Sequence, residues 1–361
     1  MKICVVTPRF MISGVALAQH RFARALAARG HQVDLVIGRV DPGLEVPTAP
    51  GVNVIQLNRA KVRSLAVPLW RHLRRARPDV VFSAEDHLNT LVTLVALAAR
   101  STAKISGSSR VTPFDTYSTT PFTKRWFLKH LARLSFRRAD VLSCVSRDMV
   151  DQYRQMFGPS APHVAIYNIV DEEESRSRMV EAIPEPWLAD KTLPVVIGAG
   201  TLAEWKRFGD LIAAFALVKT PARLIILGEG PLRAELEAQI AGLGLADRVK
   251  LPGYTTNTLA HFSRSDVFVL SSRVEGLPNV LVEAMMCGCT PVSTDCPTGP
   301  REVLDNGRFG ALVGVGDCQA LAAAIDHALS EPTPPSLLEE AIRPFEASAI
   351  IAQHFKALGL D

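Results

Sequence analysis

Two carboxylates, Glu275 and Glu283, bracket the segment Gly276-Leu277-Pro278-Asn279-Val280 with seven residues between them. Asn279 is a capping residue type, and the pattern predicts a helix that begins at Val280 and ends before Gly288. A helix start offers unpaired backbone amides and the positive end of the macrodipole, which together suit a diphosphate. Glu275 lies in the loop ahead of that start, and Glu283 sits one turn inside with its carboxylate leaning back towards the same end. Acids on both flanks of an anion site can accept hydrogen bonds from a sugar on one side of the phosphates and a ribose on the other. That arrangement selects a nucleotide sugar over a simple phosphate. The same spacing in isolation equally describes a surface glutamate followed by a partly buried helical one. Lys206, with Arg207 beside it, follows Gly198-Ala199-Gly200 and is the cation best placed to meet the phosphates. Alone, it could be a solvated lysine. Leu227-Gly228-Glu229-Gly230-Pro231 is a strand-to-helix turn that fits either a phosphate approach or a plain tight turn. No metal site is expected: Cys287 and Cys289 lack a second Cys or His pair at zinc spacing, and no Asp-x-Asp occurs.

The elements that must hold these residues alternate between β-branched runs and helical patterns, which implies an α/β protein with parallel sheets. At 361 residues the chain exceeds one ordinary core of roughly 250 residues, so two doubly wound domains are expected. Residues 1–171 form the first, 172–193 a linker marked by the acidic run Asp171-Glu172-Glu173-Glu174 and by Pro184, Pro186 and Pro194, and 194–344 the second. Strands are predicted at Ile3–Thr7, Val33–Ile37, Val80–Ser83, Val141–Val145 and Val164–Tyr167. In the second half they fall at Val195–Gly198, Leu224–Leu227, Val267–Leu270, Pro291–Ser293 and Ala311–Val313. Hydrophobic residues make up 48% and charged residues 21%, a globular balance. The N-terminus reads as a buried strand without the pattern of a signal peptide, and Leu88–Ala99 is too short to span a bilayer, so a cytoplasmic location is expected. Six scattered cysteines suit free thiols. Net charge is +4, but residues 1–170 hold 24 Lys+Arg against 10 Asp+Glu, so the first half favours an anionic partner or surface.

The segment Glu275-Gly276-Leu277-Pro278-Asn279-Val280-Leu281-Val282-Glu283-Ala284-Met285-Met286-Cys287-Gly288 resembles the Glu-x7-Glu signature of the retaining glycosyltransferases of family 4, which have the GT-B fold. That fold places two Rossmann-like domains on either side of a cleft. By this resemblance Glu275 contacts the transferred sugar, Glu283 the ribose diol, and the amides of Gly276, Leu277, Pro278, Asn279 and Val280 line the sugar and phosphate, Pro278 contributing position rather than an N–H. Gly200-Thr201-Leu202-Ala203-Glu204-Trp205-Lys206 is similar to the family's diphosphate loop, with Thr201 where arginine is usual, so Lys206 becomes the main cation and Arg207 a compensating one. Gly228 lies in a Gly-x-Gly-Pro loop of the same kind, and Pro252-Gly253-Tyr254 resembles the loop that brackets the base. In the first half, the loop Pro8–Gly14 takes the place of a glycine-rich loop of which Gly14 survives. The segment Ala84-Glu85-Asp86-His87 takes the place of one that brings a His or an acid to the reacting carbon. Asp86 and His87 are therefore catalytic candidates, with capping or loop packing the other reading. Ile105–Arg110 is where acceptor contacts fall, so Ser109 and Arg110 are candidates for them.

What the resemblance implies is transfer of a hexose or N-acetylhexosamine from a UDP-sugar, a co-substrate with no further cofactor and no metal, to a lipid-linked or glycan acceptor. Nucleic acid is not an expected partner. Residues 124–138 form a basic amphipathic pattern, with Phe127, Leu131 and Leu134 among Lys124, Arg125, Lys129, Arg133, Arg137 and Arg138. This is either a contact with an anionic membrane or a core-facing helix with a solvated basic face. Residues 345–361 are helical by pattern and by resemblance pack back on the first domain. A nucleotide-sugar 2-epimerase, or a sugar-nucleotide binding protein that has lost catalysis, would share the donor site.

Overall fold

A computed structural model describes residues 1–11 and 14–360. The chain divides into two compact units, Met1–Ile169 with Ala347–Asp361, and Val170–Glu346. The first carries a seven-stranded sheet made of β1 (Lys2–Thr7), β2 (Gln32–Ile37), β3 (Val52–Gln56), β4 (Val80–Ala84), β5 (Lys104–Ser109), β6 (Val141–Cys144) and β7 (His163–Ala165), in the order β3-β2-β1-β4-β5-β6-β7. The second carries a six-stranded sheet made of β8 (Val195–Ala199), β9 (Arg223–Leu227), β10 (Val249–Gly253), β11 (Val267–Leu270), β12 (Thr290–Thr294) and β13 (Ala311–Val313), in the order β10-β9-β8-β11-β12-β13. Every pairing between these strands is parallel.

Period-2 alternation explains how each sheet is buried on both faces. On β1, Ile3 and Val5 join a cluster with Phe22 and Leu26 of the Gly14–Ala28 helix, whereas Cys4 and Val6 join another with Leu69, Leu73, Leu88 and Val92. In the second unit, Val196, Leu224, Ile226, Val267 and Val269 pack against Leu211, Phe215, Ile240 and Ile325. The C-terminal helix Ala347–Leu358 completes the first unit, with Ile350, Ile351 and Leu358 in the cluster of Ile3 and Val5.

Three strands are absent from the pattern read along the chain: β3, β5 and β10. In β5, Lys-Ile-Ser-Gly-Ser-Ser, the serines hide a strand whose Ser106, Ser108 and Ser109 are buried. Residues 172–193 also differ from the expected linker, since they belong to the second unit and include the short helices Glu173–Arg178 and Pro186–Ala189. Their order comes from distant contacts that no local pattern reveals. Asn257 donates to Arg178 O at 2.9 Å and to Glu181 at 2.6 Å, and Lys250 lies 3.9 Å from the centroid of the Trp187 ring.

In each sheet the order reverses beside the first strand, at the β1–β4 pair and at the β8–β11 pair. Crossovers leave such a pair in opposite directions, opening a crevice at the carboxyl ends where ligands of open α/β sheets bind. The chain therefore places Glu85 at one switch point. At the other it places the loops beginning at Gly200 and Ser271.

Candidate functional site

At the β8–β11 switch point the structure joins two of the residues singled out by sequence. Lys206 Nζ donates to Glu275 Oε1 at 2.6 Å, and the two side chains retain only 15% and 13% exposure. The loop after β11 builds this pair. Ser272 Oγ donates to the same Glu275 oxygen at 2.6 Å, Ser271 Oγ donates to Lys206 O at 2.8 Å, and the Arg273 N–H donates to Trp205 O at 2.8 Å. Thr298 Oγ1 donates to the backbone carbonyl of Glu275. Ser271, Ser272 and Thr298 were not apparent from sequence. The only signal was a Ser-Ser pair directly after a strand at the sheet's carboxyl edge.

The glycines of the neighbouring loops permit a close backbone approach. A Cβ on Gly228, whose φ is +135°, would stand 1.9 Å from Gly200 O, and one on Gly230 would stand 2.4 Å from Leu202 O. Gly200 in turn lies against the lysine stem, where a Cβ would be 3.2 Å from Lys206 Cε. Backbone hydrogen bonds fasten the three loops together: Gly200 N–H to Leu227 O, Leu202 N–H to Glu229 O and Gly228 N–H to Gly253 O. Only glycine satisfies both the dihedral and the spacing at 228.

The helix after this loop runs Asn279–Met286 and begins one residue earlier than expected. Pro278 occupies the cap position, so Asn279 is the first helical residue and does not cap the helix through its side chain. Pro278 has no N–H to satisfy and its ring fixes φ, which sets the chain's entry without a side-chain cap. Leu277 and Pro278 are buried, whereas Gly276, Asn279, Val280 and Glu283 are half-buried, as a loop facing a ligand would be. Arg207 is turned away from this ensemble. Its backbone is left-handed at φ +50°, and its Nη2 donates to Asp210 at 3.0 Å. Thr201 is exposed in the loop after β8, and Tyr254 is 48% exposed just beyond β10. Cys287 and Cys289 are buried free thiols, with burial pushing Cys287 up to about 12. Among the described residues no three His, Cys, Asp or Glu side chains are gathered as metal ligands.

In the first unit the structure separates residues that sequence grouped. Asp86 is 6% exposed and turned into the core, where it accepts from Ser109 Oγ at 2.6 Å and from the Tyr153 hydroxyl. Burial raises its pKa, and the hydrogen bonds from Ser109, Tyr153 and Tyr117 oppose that rise. Asp86 and Ser109 thus hold each other and cannot reach a ligand directly. His87 is exposed on the Asp86–Ala98 helix, in a wall shared with Tyr117 and Leu131. Arg110 is half-buried, with Nε and Nη1 unpartnered among the described residues, and lines a small cavity with Gln19, Ser106 and His354. Gly14 begins the Gly14–Ala28 helix, while Ile12 and Ser13 of the expected loop lie outside the described residues.

Glu85, which sequence passed over for its neighbours, holds the strained position. It ends β4 at φ +82° and ψ 132°, where a side chain is unfavourable, and its N–H donates to Ser108 O at 2.9 Å. Burial holds its carboxyl above the ordinary carboxylate range, against the pull of Arg110. Strain of this kind costs about 1–3 kcal/mol and concentrates at functional positions. On the Lys124–Ser135 helix, Phe127, Leu131 and Leu134 are all exposed, so the core-facing reading of these side chains does not hold.

The two halves of the chain match two family models: residues 13–168 the glycosyl transferase 4-like domain, and residues 179–344 the glycosyl transferases group 1. The chain belongs to the family 4 type of glycosyltransferases, with the GT-B fold. One relative is the N-acetylgalactosamine-N,N'-diacetylbacillosaminyl-diphospho-undecaprenol 4-alpha-N-acetylgalactosaminyltransferase of Campylobacter jejuni, 35% identical over 52% of this chain and 50% of its own. Another is the N-acetyl-alpha-D-glucosaminyl L-malate synthase of Bacillus anthracis, 26% identical over 63% of this chain and 61% of its own. The match spans about half the length of the first relative and under two thirds of the second. Among solved structures, Anabaena HepE in complex with UDP superposes with a TM-score of 0.76 at 19% identity, over 99% of this chain and 100% of its own. The outer core galactosyltransferase WaaB gives 0.73 at 17% identity, over 99% of each chain.

Two substitutions test the two switch points. Glu275→Gln should lower turnover by more than tenfold while the fold survives with a lower melting temperature, because Lys206 loses its counter-charge, as measured by steady-state kinetics and calorimetry, and unaltered kinetics would remove Glu275 from the site. Glu85→Gly should raise stability by about 1 kcal/mol through relief of its backbone strain while lowering turnover. Chemical denaturation beside the same kinetic assay reads both effects, and a loss of stability would refute the strain.

Proposed function

We propose that the chain is a retaining, metal-independent glycosyltransferase that moves a hexose or N-acetylhexosamine from a UDP-sugar to a lipid-linked or glycan acceptor in cell-surface polysaccharide or glycolipid synthesis. The observation that carries this reading is the Lys206–Glu275 pair at 2.6 Å, set at a switch point beside the start of the Asn279–Met286 helix. When a donor arrives, its diphosphate competes for Lys206 and the helix amides, and the sugar hydroxyls compete for Glu275. Glu283, Thr201, Gly228 and Tyr254 belong to the same donor site. The bond from the anomeric carbon to the phosphate oxygen breaks, and a bond to the acceptor oxygen forms on the same face. The acceptor's proton passes to the departing phosphate. Lys206 and the amides stabilise the charge on the leaving group, a task for preorganised dipoles. At the switch point of the first unit, Asp86 anchors the loop that carries Glu85.

HepE is described in complex with UDP and with UDP-glucose, which supports a uridine donor. The Campylobacter relative is named for an acceptor on diphospho-undecaprenol, which supports a lipid-linked acceptor. The Campylobacter relative is named for transfer, which favours it over epimerisation. No helix among the described residues is long and apolar enough to cross a membrane. We place the protein on the cytoplasmic face of the membrane as a peripheral enzyme, through the exposed apolar side chains and basic flanks of residues 124–138.

UDP should raise the melting temperature more than GDP or ADP, and transfer from UDP-sugars should persist in EDTA with the anomeric configuration kept in the product by NMR. Complete loss of activity under chelation, or an inverted product, would overturn the mechanism. Vesicles containing phosphatidylglycerol should co-sediment the protein at low salt and release it as salt rises. An absence of binding at low salt would end the membrane assignment.

A further inference from the structure

The pocket beside His87 is unused by the donor chemistry. It encloses about 210 Å³. Leu91 and Leu94 of the Asp86–Ala98 helix form one wall and Leu128 and Leu131 of the Lys124–Ser135 helix the other, and the buried Tyr117 also lines it. Tyr117 is itself fixed, with its ring edge against Phe157 at a centroid distance of 5.0 Å. Arg63 and His87, both exposed, also line the pocket. A dry cavity of roughly 150 Å³ admits benzene, so this one has room for a branched five-carbon unit and part of the next.

The surroundings identify what would enter. Leu131 lines the pocket and is also 41% exposed, and Phe127, Leu134 and Phe122 leave further apolar surface uncovered on the same helix and just before it. Interleaved with them, residues 124–138 carry six Lys and Arg and no acid, of which Arg138 is paired with Asp140 beyond the helix. Among the described residues, none of Lys124, Arg125, Lys129 or Arg133 is ion-paired with a carboxylate. An apolar slot with cationic neighbours and no counter-charge complements a molecule with an aliphatic chain and an anionic head.

We propose that this pocket holds the first units of the aliphatic chain of a phosphorylated lipid acceptor, with Arg63 and His87 taking the phosphate at its mouth. The inference rests on the lipid-linked acceptor of the proposed function and specifies where its tail begins. His87 becomes an acceptor-binding residue under this assignment, not an acid or base at the reacting carbon. The phosphate could belong to an isoprenyl or an acyl lipid.

Calorimetric titration of the full-length protein with farnesyl phosphate, dodecyl phosphate, farnesol and inorganic phosphate, each below its micelle concentration, tests the proposal. At least one of the two phosphorylated chains should bind ten times or more tighter than farnesol, and inorganic phosphate should show no saturable binding. Preference for farnesyl phosphate would support an isoprenyl lipid, and equal or better binding of dodecyl phosphate would support an acyl one. Thr90 also lines the pocket, so Thr90→Trp and Leu94→Trp, which fill it, should each weaken chain binding by at least tenfold, and Arg63→Ala should reduce the advantage of the phosphate over the alcohol. Binding of neither chain, or filled variants that bind as the parent does, would overturn the assignment. UDP titrated into the same samples separates the two readings. Chain binding without UDP binding would leave the pocket standing and remove the uridine donor, whereas UDP binding without chain binding would remove the pocket alone.

Discussion

The ion pair between Lys206 and Glu275 sets the terms for the rest of the second unit. Both charges are mostly withdrawn from water, so each needs the other until a ligand replaces it. The residues lie 69 apart and meet only because β8 and β11 are adjacent and parallel, with Val267 opposite Val196 and Phe268 opposite Ile197. A slip of one residue in that register would turn alternate side chains to the other face of the sheet. Hydrogen bonds from Ser271 and Ser272 then hold the backbone of one partner and the carboxylate of the other, which fixes the pair in place without help from the ligand. Preorganisation of this kind is what the proposed stabilisation of a leaving diphosphate requires.

Glycine does the complementary work. Gly228 and Gly230 allow the loop after β9 to touch the backbone of the loop after β8, and Gly200 allows the stem of Lys206 to lie flat. The site is therefore assembled from backbone closeness as much as from functional groups. An added methyl at 228 would separate the two loops, even though glycine itself makes no contact that a ligand could read.

The first unit shows how neighbouring residues of like charge can be given opposite roles. Glu85 and Asp86 are adjacent acids at the end of β4, yet Asp86 turns inward to Ser109 and Tyr153 while Glu85 is held at the switch point in a strained conformation. The inward hydrogen bonds fasten the helix start, and that anchor is what keeps the strained residue in place. On the far side of the same helix, His87 faces Leu131 across an apolar pocket beside the basic helix. The three consecutive side chains Glu85, Asp86 and His87 thus point to three environments.

The sequence by itself determined the α/β class, the two halves, the five second-unit strands other than β10, and the coincidence of Glu275, the Asn279 helix and Lys206 near strand ends. These are local properties. Hydrophobic period, turn residues and spacing are written along the chain, and the carboxyl edge of a parallel sheet collects whatever follows each strand. Only the tertiary structure decided which groups meet. It put Pro278 in place of Asn279 at the cap, gave Arg207 to Asp210, folded residues 172–193 into the second unit, and chose Glu85 over Asp86 at the sheet's edge. Each of these outcomes depends on partners far away in the chain or on a backbone dihedral, and neither has a signature within a window of neighbouring residues.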